Sequence, residues 1–420
     1  MADRKPRIVI VGAGFGGIKA AQLLVDTNAD ITIVDRENFH LFQPLLYQVS
    51  TSELAENEIA YPIRAFFRKN RNVEFFMAQA QGFAPDRKVL LTNHGEVPYD
   101  YLILAAGATT NFFGMKSVEE HSYGMKTLQE AIAIRNHVLH MFERANKCED
   151  ADERRRMLTF VCVGGGPTGI ESAGALSELV YGVMSQEYHH LDFSEASVKL
   201  VEAMDKVLTM MPPPLQAETI RVLTGERHVD VLLNAQVMDY DGRDLKLKDG
   251  RVIPTKTVIW AAGVKAVPLL AELGTPVDRA GRIVVQPTLQ VREYPEIFAL
   301  GDCANFVQDG RPLATIAPVA TQQAVVCTAN IKKLLRGDTA LTNFCYKDVG
   351  SMATICRGHA VVAMGSWQMK GFFAWVAWMV VHLMRLAGTY TNITVALKWF
   401  WNLVSGIRLG RIITNIKDEK

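Results

Sequence analysis

A segment of about thirty residues near the start of the chain constrains the fold more than any other feature. It begins with a short apolar run, 8–11, and continues through the glycine-rich residues 12–17 into a helical stretch, 18–25. A β-branched run, 31–34, follows and ends at Asp35. A buried strand, a G-x-G-x-x-G turn, a helix, a second strand and an acid make up the dinucleotide-binding βαβ unit. We therefore expect a Rossmann-like unit that binds a dinucleotide here.

Each part of this segment has a physical reason to be there. Gly12 permits the tight turn, Gly14 lets the backbone approach a pyrophosphate, and Gly17 lets the helix pack on the strand. The helix N-terminus offers unpaired N–H groups and the positive end of a dipole to that pyrophosphate. Asp35 is placed to accept hydrogen bonds from a ribose.

The same pattern returns in the middle of the chain. A strand at 157–163, a glycine turn at 164–169, a helix at 170–181 and a strand at 197–201 lead to Glu202. Two complete copies are a much stronger signal than one, so we expect two dinucleotide sites. An acid at 202 without an adjacent Arg favours a free ribose 2′-hydroxyl, and therefore NADH over NADPH.

Each copy also has a later strand that runs into a glycine, at 99–109 and at 257–263, so the halves 8–109 and 158–263 repeat one plan. Beyond the second half, a strand at 296–300 ends in Gly-Asp, and a helix at 317–335 follows. The chain therefore returns to its first domain after crossing the second. Other predicted elements are a helix at 127–147 and strands at 73–80 and 88–91.

These patterns predict an α/β fold with two Rossmann-like dinucleotide-binding domains, the second inserted in the first, and a helical C-terminal segment. The first domain comprises 1–112 and 266–345, the second comprises 113–265, and the C-terminal region comprises 346–420.

The C-terminal region differs in composition from the rest of the chain. The whole chain carries a net charge of +1, whereas residues 357–420 carry +6 and five of the six Trp residues. The segment 371–386 is apolar but too short and too charged for a membrane span, which needs about 20 apolar residues. The next segment is an apolar helix with a polar stripe formed by Thr391, Thr394, Lys398, Asn402 and Ser405. Both segments are predicted to lie in the interface of an anionic membrane surface. A dimer interface or helices that cap the core are the alternatives.

Composition also limits the classes of function. The six Cys residues include no C-x-x-C or C-x₄-C pair, so neither a zinc site nor a redox disulfide of ordinary spacing is indicated. The first residues lead directly into a strand without a signal-peptide pattern, and we expect the body of the protein to stay in the cytoplasm. We expect no nucleic-acid partner.

Several longer stretches resemble the type II NADH dehydrogenases, the single-subunit NADH:quinone oxidoreductases. They include GAGFGG at 12–17, FHLFQPLLYQV at 39–49, EIAYPIR at 58–64, GGGPTGIE at 164–171 and IFALGD at 297–302. The tail is similar too, with Trp375, Trp378 and His382 before an amphipathic helix. The resemblance covers nearly the whole chain.

The resemblance implies that FAD, held non-covalently, binds the first motif and that NADH is the substrate at the second. Hydride would pass from NADH to FAD, and two electrons would then reach a membrane quinone without proton pumping, feeding a respiratory chain. The protein would be peripheral, on the cytoplasmic face of the inner (cell) membrane, with a homodimer as a candidate assembly.

The resemblance also implies site residues. For FAD these are Gly12, Gly14, Gly16, Asp35, Ala80 and Asp302, and for NADH they are Gly164, Gly166, Gly169 and Glu202. Further cofactor-binding positions are Phe15, Gly17, Arg36, Gln48, Gly107, Gly263 and Ala320. Glu171 would tune charge near the nicotinamide and flavin. Gln322 would lie beside the flavin and quinone, while Pro318 stands where some relatives carry another Gln.

Three alternatives remain at this stage. A sulfide:quinone oxidoreductase needs redox cysteines at the flavin, and Cys162 lies inside a predicted strand. Another soluble flavin reductase, acting on disulfides or ferredoxins, would lack its C-x₄-C pair or a reason for the tail. A nucleotide-binding redox sensor without turnover would be recognised by the absence of a flavin that NADH reduces.

Overall fold

The computed structural model describes residues 4–405, 408 and 410–414, so the end of the predicted C-terminal region, 415–420, lies outside the described residues. Packing divides the chain into two compact units. The first comprises the chain up to Leu41 together with Ala60–Thr109 and Val264–Val349. The second comprises Phe42–Ile59, Thr110–Gly263 and the chain from Gly350 onward. Compared with the predicted domains, Phe42–Ile59 groups with the second unit, and the C-terminal region is part of that unit.

The first unit is built on a six-stranded sheet whose five long strands are parallel. The strand order across the sheet is Gln290–Val291, Tyr294–Ala299, Tyr101–Leu104, Arg7–Val11, Asp30–Asp35, Val73–Met77. Fully buried β-branched side chains fill its centre, as expected for a parallel sheet covered on both faces. The helices Phe15–Leu24 and Ala317–Leu335 pack against each other beside it.

Smaller elements complete the first unit. An antiparallel sheet contains Ala80–Ala84, Val89–Thr92 and Gly95–Pro98. The other strands are Phe39–Leu41, Ala60–Pro62, Val264–Ala266, Ile283–Val284, Ala304–Asn305, Val307–Gln308 and Arg311–Pro312, with Ala108–Thr110 at the end of the unit. The helices are Ile63–Phe67 and the 3₁₀ turns Pro85–Arg87, Pro268–Leu273 and Gly301–Cys303.

The predicted strand 73–80 is in fact two strands in different sheets. Val73–Met77 ends the parallel sheet, and Ala80 starts the antiparallel one. Between them, the backbone N–H of Gln79 donates to the side-chain oxygen of Asn93 at 2.8 Å, which turns the chain away from the first sheet. A hydrophobic pattern alone does not reveal such a change of sheet.

The second unit contains a five-stranded, wholly parallel sheet. Its strand order is Tyr123–Gly124, Thr257–Trp260, Thr159–Val163, Ser197–Val201, Val229–Leu232. Helical segments around it are Lys116–His121, Leu128–Ala145, Ala151–Met157, Pro167–Ser177, the π-helical Glu178–Met184, Ser185–Glu187 and Pro213–Glu226. The predicted strand 157–163 starts two residues later than expected, because Met157 is still the last residue of a helix.

Two further sheets and the tail belong to this unit. Val237–Tyr240, Asp244–Leu247 and Val252–Pro254 form one antiparallel sheet, and Ser351–Cys356, His359–Met364 and Trp367–Gly371 form another, which was not predicted. The remaining helices are Gln43–Leu45, Leu46–Ser50, Glu56–Glu58, Phe372–Arg385 and Thr389–Ser405. Across the described ranges, every helix falls short of the combined length and apolarity that crossing a membrane requires.

The predicted α/β fold with two Rossmann-like halves is confirmed. In both units, the strand that precedes the glycine turn lies between the next strand of its own βαβ unit and a strand from later in the chain. This arrangement is a topological switch point, where the carboxyl ends of parallel strands open a crevice for a ligand.

Candidate active site

The first glycine loop, residues 12–17, has the geometry of a phosphate cradle. Gly12 has φ +101°, and a Cβ there would collide with the carbonyl oxygen of Ala105. A Cβ on Gly17 would collide with the carbonyl oxygen of Gly12, so the helix start lies directly against the strand end. Gly14 precedes the helix Phe15–Leu24 and has open space where its Cβ would lie. The loop therefore presents bare backbone and a helix N-terminus outward.

Asp35 closes this loop from the neighbouring strand. Its carboxylate accepts hydrogen bonds from the backbone N–H of Ala13 at 2.6 Å and of Glu37 at 2.9 Å. Burial raises the pKa of Asp35, although both N–H groups oppose that rise. On the other side, the imidazole of buried His40 lies 2.8 Å from the Ala13 carbonyl oxygen and edge-on to Phe15. His40 was not predicted as a site residue, although its stretch carried the resemblance.

The other predicted residues of the first site follow neighbouring strands of the same sheet. Gly107, with φ +76°, comes shortly after Tyr101–Leu104, and Asp302 lies in the 3₁₀ turn Gly301–Cys303 shortly after Tyr294–Ala299. Because these strands are parallel to Arg7–Val11, both residues lie at the edge that carries the glycine loop.

The turn at Gly301 is hydrogen-bonded to the helix Ala317–Leu335 and lies close against it. The N–H of Gly301 donates to the side-chain oxygen of buried Gln323 at 2.6 Å, and a Cβ at Gly301 would come within 3.0 Å of the Ala320 side chain. Gln323 is a residue that the sequence reading missed, although it lies next to the predicted Gln322.

Gln322 has a different environment. Its amide nitrogen donates to the backbone carbonyl of Lys347 at 2.9 Å, and its oxygen accepts from the N–H of Lys347 at 3.0 Å. The side chain is thus paired with backbone on both sides and anchors the segment around 347. Its role toward a quinone stays a prediction.

The second glycine loop, residues 164–169, repeats the first. Gly164 has φ +117° and no room for a Cβ, a Cβ on Gly169 would meet the Gly164 carbonyl oxygen, and Gly166 is open. The carboxylate of Glu202 accepts from the N–H of Gly165 and, at 2.7 Å, from that of Met204. Glu202 therefore holds its loop through the same two backbone positions that Asp35 uses in the first unit.

An exposed aromatic side chain stands beside this second loop. Gly263 lies after the strand Thr257–Trp260, and the ring of Phe113 comes within 3.1 Å of where its Cβ would be. Phe113 is 61% exposed and has φ +52°, a conformation that bulky residues rarely adopt. Nothing in the sequence pattern singled it out.

Glu171 lines a narrow, partly open cleft within the second unit. Burial raises the pKa of Glu171 well above the usual range of a glutamate. The cleft, hereafter the acidic cleft, is lined by Tyr47, Gln48, Glu53, Glu171, Ala175, Glu178, Thr354, Ile355, Cys356, Arg357, Trp375, Trp378, Met379, Trp399, Asn402 and Leu403.

A chain of hydrogen bonds forms one wall of the acidic cleft. The indole N–H of Trp399 donates to the side-chain oxygen of Gln48 at 2.9 Å, and the Gln48 amide donates to the Tyr47 hydroxyl at 2.9 Å. Trp378 is 1% exposed, and its indole N–H has no hydrogen-bond acceptor among the described residues. A buried donor without a partner is costly, so this group indicates a place for a ligand acceptor.

Arg408 binds Glu178, one of the residues that line the acidic cleft. Its guanidinium is buried, donates to the backbone oxygens of Thr51 and Ala175 at 3.0 Å each, and pairs with Glu178 at 2.8 Å. The chain after the last helix is thereby tied to the helix that carries Glu171.

The two C-terminal helices bury Ala374, Trp375, Trp378, Val395 and Trp399 against the protein and expose a largely apolar surface. Within the predicted polar stripe, Lys398 forms a 2.8 Å ion pair with buried Glu58, and Asn402 lines the acidic cleft. Apart from Arg385 and Thr389, the exposed side chains are apolar or aromatic: Phe372, Phe373, Val380, Met384, Tyr390, Ile393, Leu397, Phe400, Trp401, Leu403 and Val404.

Several basic residues of the tail form ion pairs with acidic residues of the second unit. Besides Lys398 and Arg408, Lys370 pairs with Glu218 at 3.0 Å and Arg411 pairs with Glu187 at 2.5 Å. Among the described residues, no ion pair is found for Arg385. The apolar surface, rather than net charge, is thus the dominant exposed feature of the tail.

Comparison with known proteins places these features in a family. Residues 6–324 match the family model described as pyridine nucleotide-disulphide oxidoreductase. Two Mycobacterium tuberculosis proteins, the type II NADH:quinone oxidoreductases NdhA and Ndh, are 40% and 38% identical to this chain. These matches cover 94% and 98% of this chain, and 86% and 91% of the relatives.

A solved structure shows the same fold over nearly the whole length. NDH2 from Plasmodium falciparum, determined in complex with NADH, superposes with a TM-score of 0.88 at 21% sequence identity, covering 97% of this chain and all of that one. The resemblance read from the motifs is therefore confirmed, and the chain belongs to the type II NADH:quinone oxidoreductases, a family of enzymes within the pyridine nucleotide-disulphide oxidoreductases.

Proposed function

We propose that this protein oxidises NADH and reduces a membrane quinone by way of non-covalently bound FAD, without pumping protons. The observation that carries the proposal is the duplicated cradle: two glycine loops of one geometry, each closed by a carboxylate that accepts the same pair of backbone N–H groups. Two such cradles in one chain suit an enzyme that binds two dinucleotides and transfers hydride from NADH to FAD.

The residues of the first unit fit FAD. Backbone is bare at Gly14 and Gly107, where an added Cβ would meet nothing within 4 Å, so an extended dinucleotide has room along this sheet edge. Gly14 and the N-terminus of Phe15–Leu24 would hold the pyrophosphate, Asp35 a ribose, and Asp302 the ribityl chain. When bound, FAD supplies the chemistry that accepts hydride from NADH and passes two electrons on.

The second cradle fits NADH. Gly166 leaves the approach to the helix N-terminus open, and Glu202 keeps acceptor capacity for a ribose hydroxyl beyond its two backbone bonds. A carboxylate at this position repels a 2′-phosphate, which supports NADH over NADPH.

The acidic cleft is the candidate quinone site. Its aromatic lining suits a flat apolar ring, and the unpartnered indole N–H of Trp378 offers a hydrogen bond to a carbonyl oxygen. Glu171 supplies a carboxyl group whose pKa burial raises, which favours its uncharged form beside an uncharged ring. Gln322 stays a second candidate for quinone contact.

The outward apolar face of the C-terminal helices supports peripheral binding at the cytoplasmic face of the cell membrane. An exposed apolar surface of this extent marks an interaction site. Because several basic residues of the tail pair internally, we expect apolar insertion to dominate and anionic lipid to add little.

The catalytic proposal is tested by mixing the purified protein with NADH and then with a short-chain quinone while following the flavin absorbance band. Bleaching by NADH and recovery on adding quinone is the expected result. Recovery only with another acceptor would remove the quinone from the proposal, and a protein without a flavin that NADH reduces would overturn it.

Membrane binding is tested by sedimentation with vesicles of neutral lipid and of neutral plus anionic lipid. A variant with Phe373→Gln, Met384→Gln and Phe400→Gln should lose binding to both. The matched control is Val307→Gln, which replaces an exposed apolar residue of the first unit. Deletion of 371–420 is less informative, because it also removes buried Trp378 and Trp399. If the triple variant binds vesicles normally but changes from dimer to monomer, the face is a dimer interface.

A further inference from the structure

Quinone reduction needs protons as well as electrons. A quinone takes up two electrons and two protons to become a quinol, while NADH delivers its electrons as hydride and supplies only one proton equivalent. The second proton must therefore come from water, and a side chain that borders both the ring and water can deliver it. This inference rests on the proposed function, and it concerns which side chain in the acidic cleft donates that proton.

Three carboxyl groups line the acidic cleft: Glu53, Glu171 and Glu178. Glu178 is already engaged on both oxygens. One accepts from Arg408 at 2.8 Å, and the other accepts the backbone N–H of Arg357 at 2.8 Å and lies 3.5 Å from the Arg227 guanidinium. Both oxygens of Glu178 are therefore taken up by contacts with the protein, and its carboxyl group is the least suited of the three to face a bound ring.

Glu171 is more deeply enclosed. It lies within the helix Pro167–Ser177, is 8% exposed, and its carboxyl group accepts a backbone N–H from Thr354. Once deprotonated, such a group has no direct exchange with solvent. Glu171 therefore suits the charge-tuning role predicted from the sequence better than repeated proton delivery.

Glu53 differs from both. In the described part of the chain it has no cation within ion-pair distance, and it remains partly accessible. Its position is rigid: it follows Ser52, which has φ +63°, and its N–H donates to the Gln48 carbonyl at 2.7 Å. Its side chain thus lies between the interior of the cleft and water.

Burial, rather than neighbouring charge, favours the protonated form of Glu53. Burial raises the pKa of Glu53, and Glu178 adds to the rise, whereas Arg408, Arg357 and a hydrogen bond from the Asn402 side chain oppose it. The Tyr47 hydroxyl is within electrostatic reach of Glu53, Glu171 and Glu178, and its own pKa is raised, so it stays neutral.

We propose that Glu53 is the general acid of quinone reduction in the acidic cleft. In this step the O–H bond of the Glu53 carboxyl group breaks and an O–H bond forms on the quinone oxygen, as the two electrons that came from NADH arrive at the ring. The Glu53 carboxylate then regains a proton from water. Positioned general acids typically contribute about 10²- to 10⁴-fold to rate.

The test is Glu53→Gln, assayed with two electron acceptors. Ferricyanide takes electrons without protons, so its reduction should stay within about twofold of wild type, whereas kcat with a short-chain quinone should fall by about 10²-fold. The variant should also lose the ionisation of Glu53 from the pH profile of kcat for quinone. Glu53→Asp, which keeps an acid, should recover part of the quinone rate.

Glu56→Gln is the matched control, because Glu56 lies on the same segment but pairs with Arg135 at 3.2 Å. It should leave both activities unchanged. Equal activity of Glu53→Gln and wild type toward quinone overturns the proposal, and so does an equal loss with both acceptors, which would indicate structural damage. Failure of the wild type itself to reduce quinone after reduction by NADH would instead contradict the proposed function.

Discussion

The indole N–H of Trp399 donates a 2.9 Å hydrogen bond to the side chain of Gln48, joining the last helix of the protein to the short helix Leu46–Ser50. Trp399→Phe keeps the aromatic bulk but removes this donor. A buried hydrogen bond contributes about 1 kcal/mol, so we expect the KM for quinone to rise about fivefold with little change in ferricyanide reduction. Trp401→Phe, at an exposed position two residues further on, is the control and should change neither. An unchanged quinone KM in Trp399→Phe would show that the hydrogen bond between Trp399 and Gln48 does not contribute to quinone binding.

Alanine substitutions at two glycines of the first loop are expected to have different effects, one on flavin binding and the other on stability. At Gly14 an added Cβ meets nothing within 4 Å, whereas at Gly17 it collides with the Gly12 carbonyl oxygen. Gly14→Ala should therefore keep its free energy of unfolding within about 0.5 kcal/mol of wild type but bind less flavin. Gly17→Ala should lose about 1–3 kcal/mol of stability. The flavin-to-protein ratio and urea unfolding of the two variants provide the measurement, and full flavin content in Gly14→Ala would contradict the assignment of the cradle.

Glu202 is expected to control the choice of nicotinamide nucleotide. Glu202→Gln removes the charge that is proposed to accept a ribose hydroxyl, and loss of a charged hydrogen bond costs about 1.5–3 kcal/mol. We therefore expect kcat/KM for NADH to fall about 10- to 100-fold and the preference over NADPH to shrink. Asp205→Asn, at an exposed acid nearby, should have no such effect. Flavin content should be the same in all three proteins, and a retained NADH preference in Glu202→Gln would assign specificity elsewhere.

His137 is expected to make the second unit sensitive to acid. Burial lowers its pKa from 6.5 to about 4, and its ring nitrogen Nε2 lies 3.0 Å from the Lys256 carbonyl oxygen. Because the unfolded chain takes up a proton below pH 6.5 and the folded chain does not, stability should fall as the pH drops from 6.5 toward 4. The loss attributable to this residue at pH 5 is about 2 kcal/mol.

The measurement is the free energy of unfolding of wild type and His137→Gln at pH 7.5 and at pH 5. Glutamine retains an N–H donor but does not titrate in this range. Its stability should therefore decline less on acidification than that of wild type. Parallel declines of the two proteins would show that His137 does not carry the effect.

The local parts of the fold were predictable because short-range chemistry determines them. The helix Ala317–Leu335 has the predicted limits, and the helix Leu128–Ala145 begins where Thr127 and Glu130 cap each other. The positions of Asp35 and Glu202 at the ends of the strands next to their loops were also predictable from spacing, whereas their hydrogen bonds to the loop N–H groups emerged only from the structure.

The acidic cleft could not be predicted in the same way. Arg408 donates a hydrogen bond to the backbone oxygen of Thr51, which lies 357 positions earlier in the sequence, and no local sequence pattern predicts that contact. The polar stripe of the last helix shows the same limit. Periodicity located it, but only packing reveals that Lys398 turns inward to Glu58 and that the apolar residues face out.

That outward apolar face has a consequence for how the protein is made. Folding leaves large apolar side chains of the last two helices in water. Phe373, Met384 and Phe400 are 75%, 79% and 64% exposed in the folded protein. Such a surface is a liability for aggregation until something covers it. Under the membrane binding proposed above, newly synthesised molecules would either bind lipid or associate with one another. The yield of functional protein should accordingly rise with the membrane area of the producing cell rather than with the rate of translation.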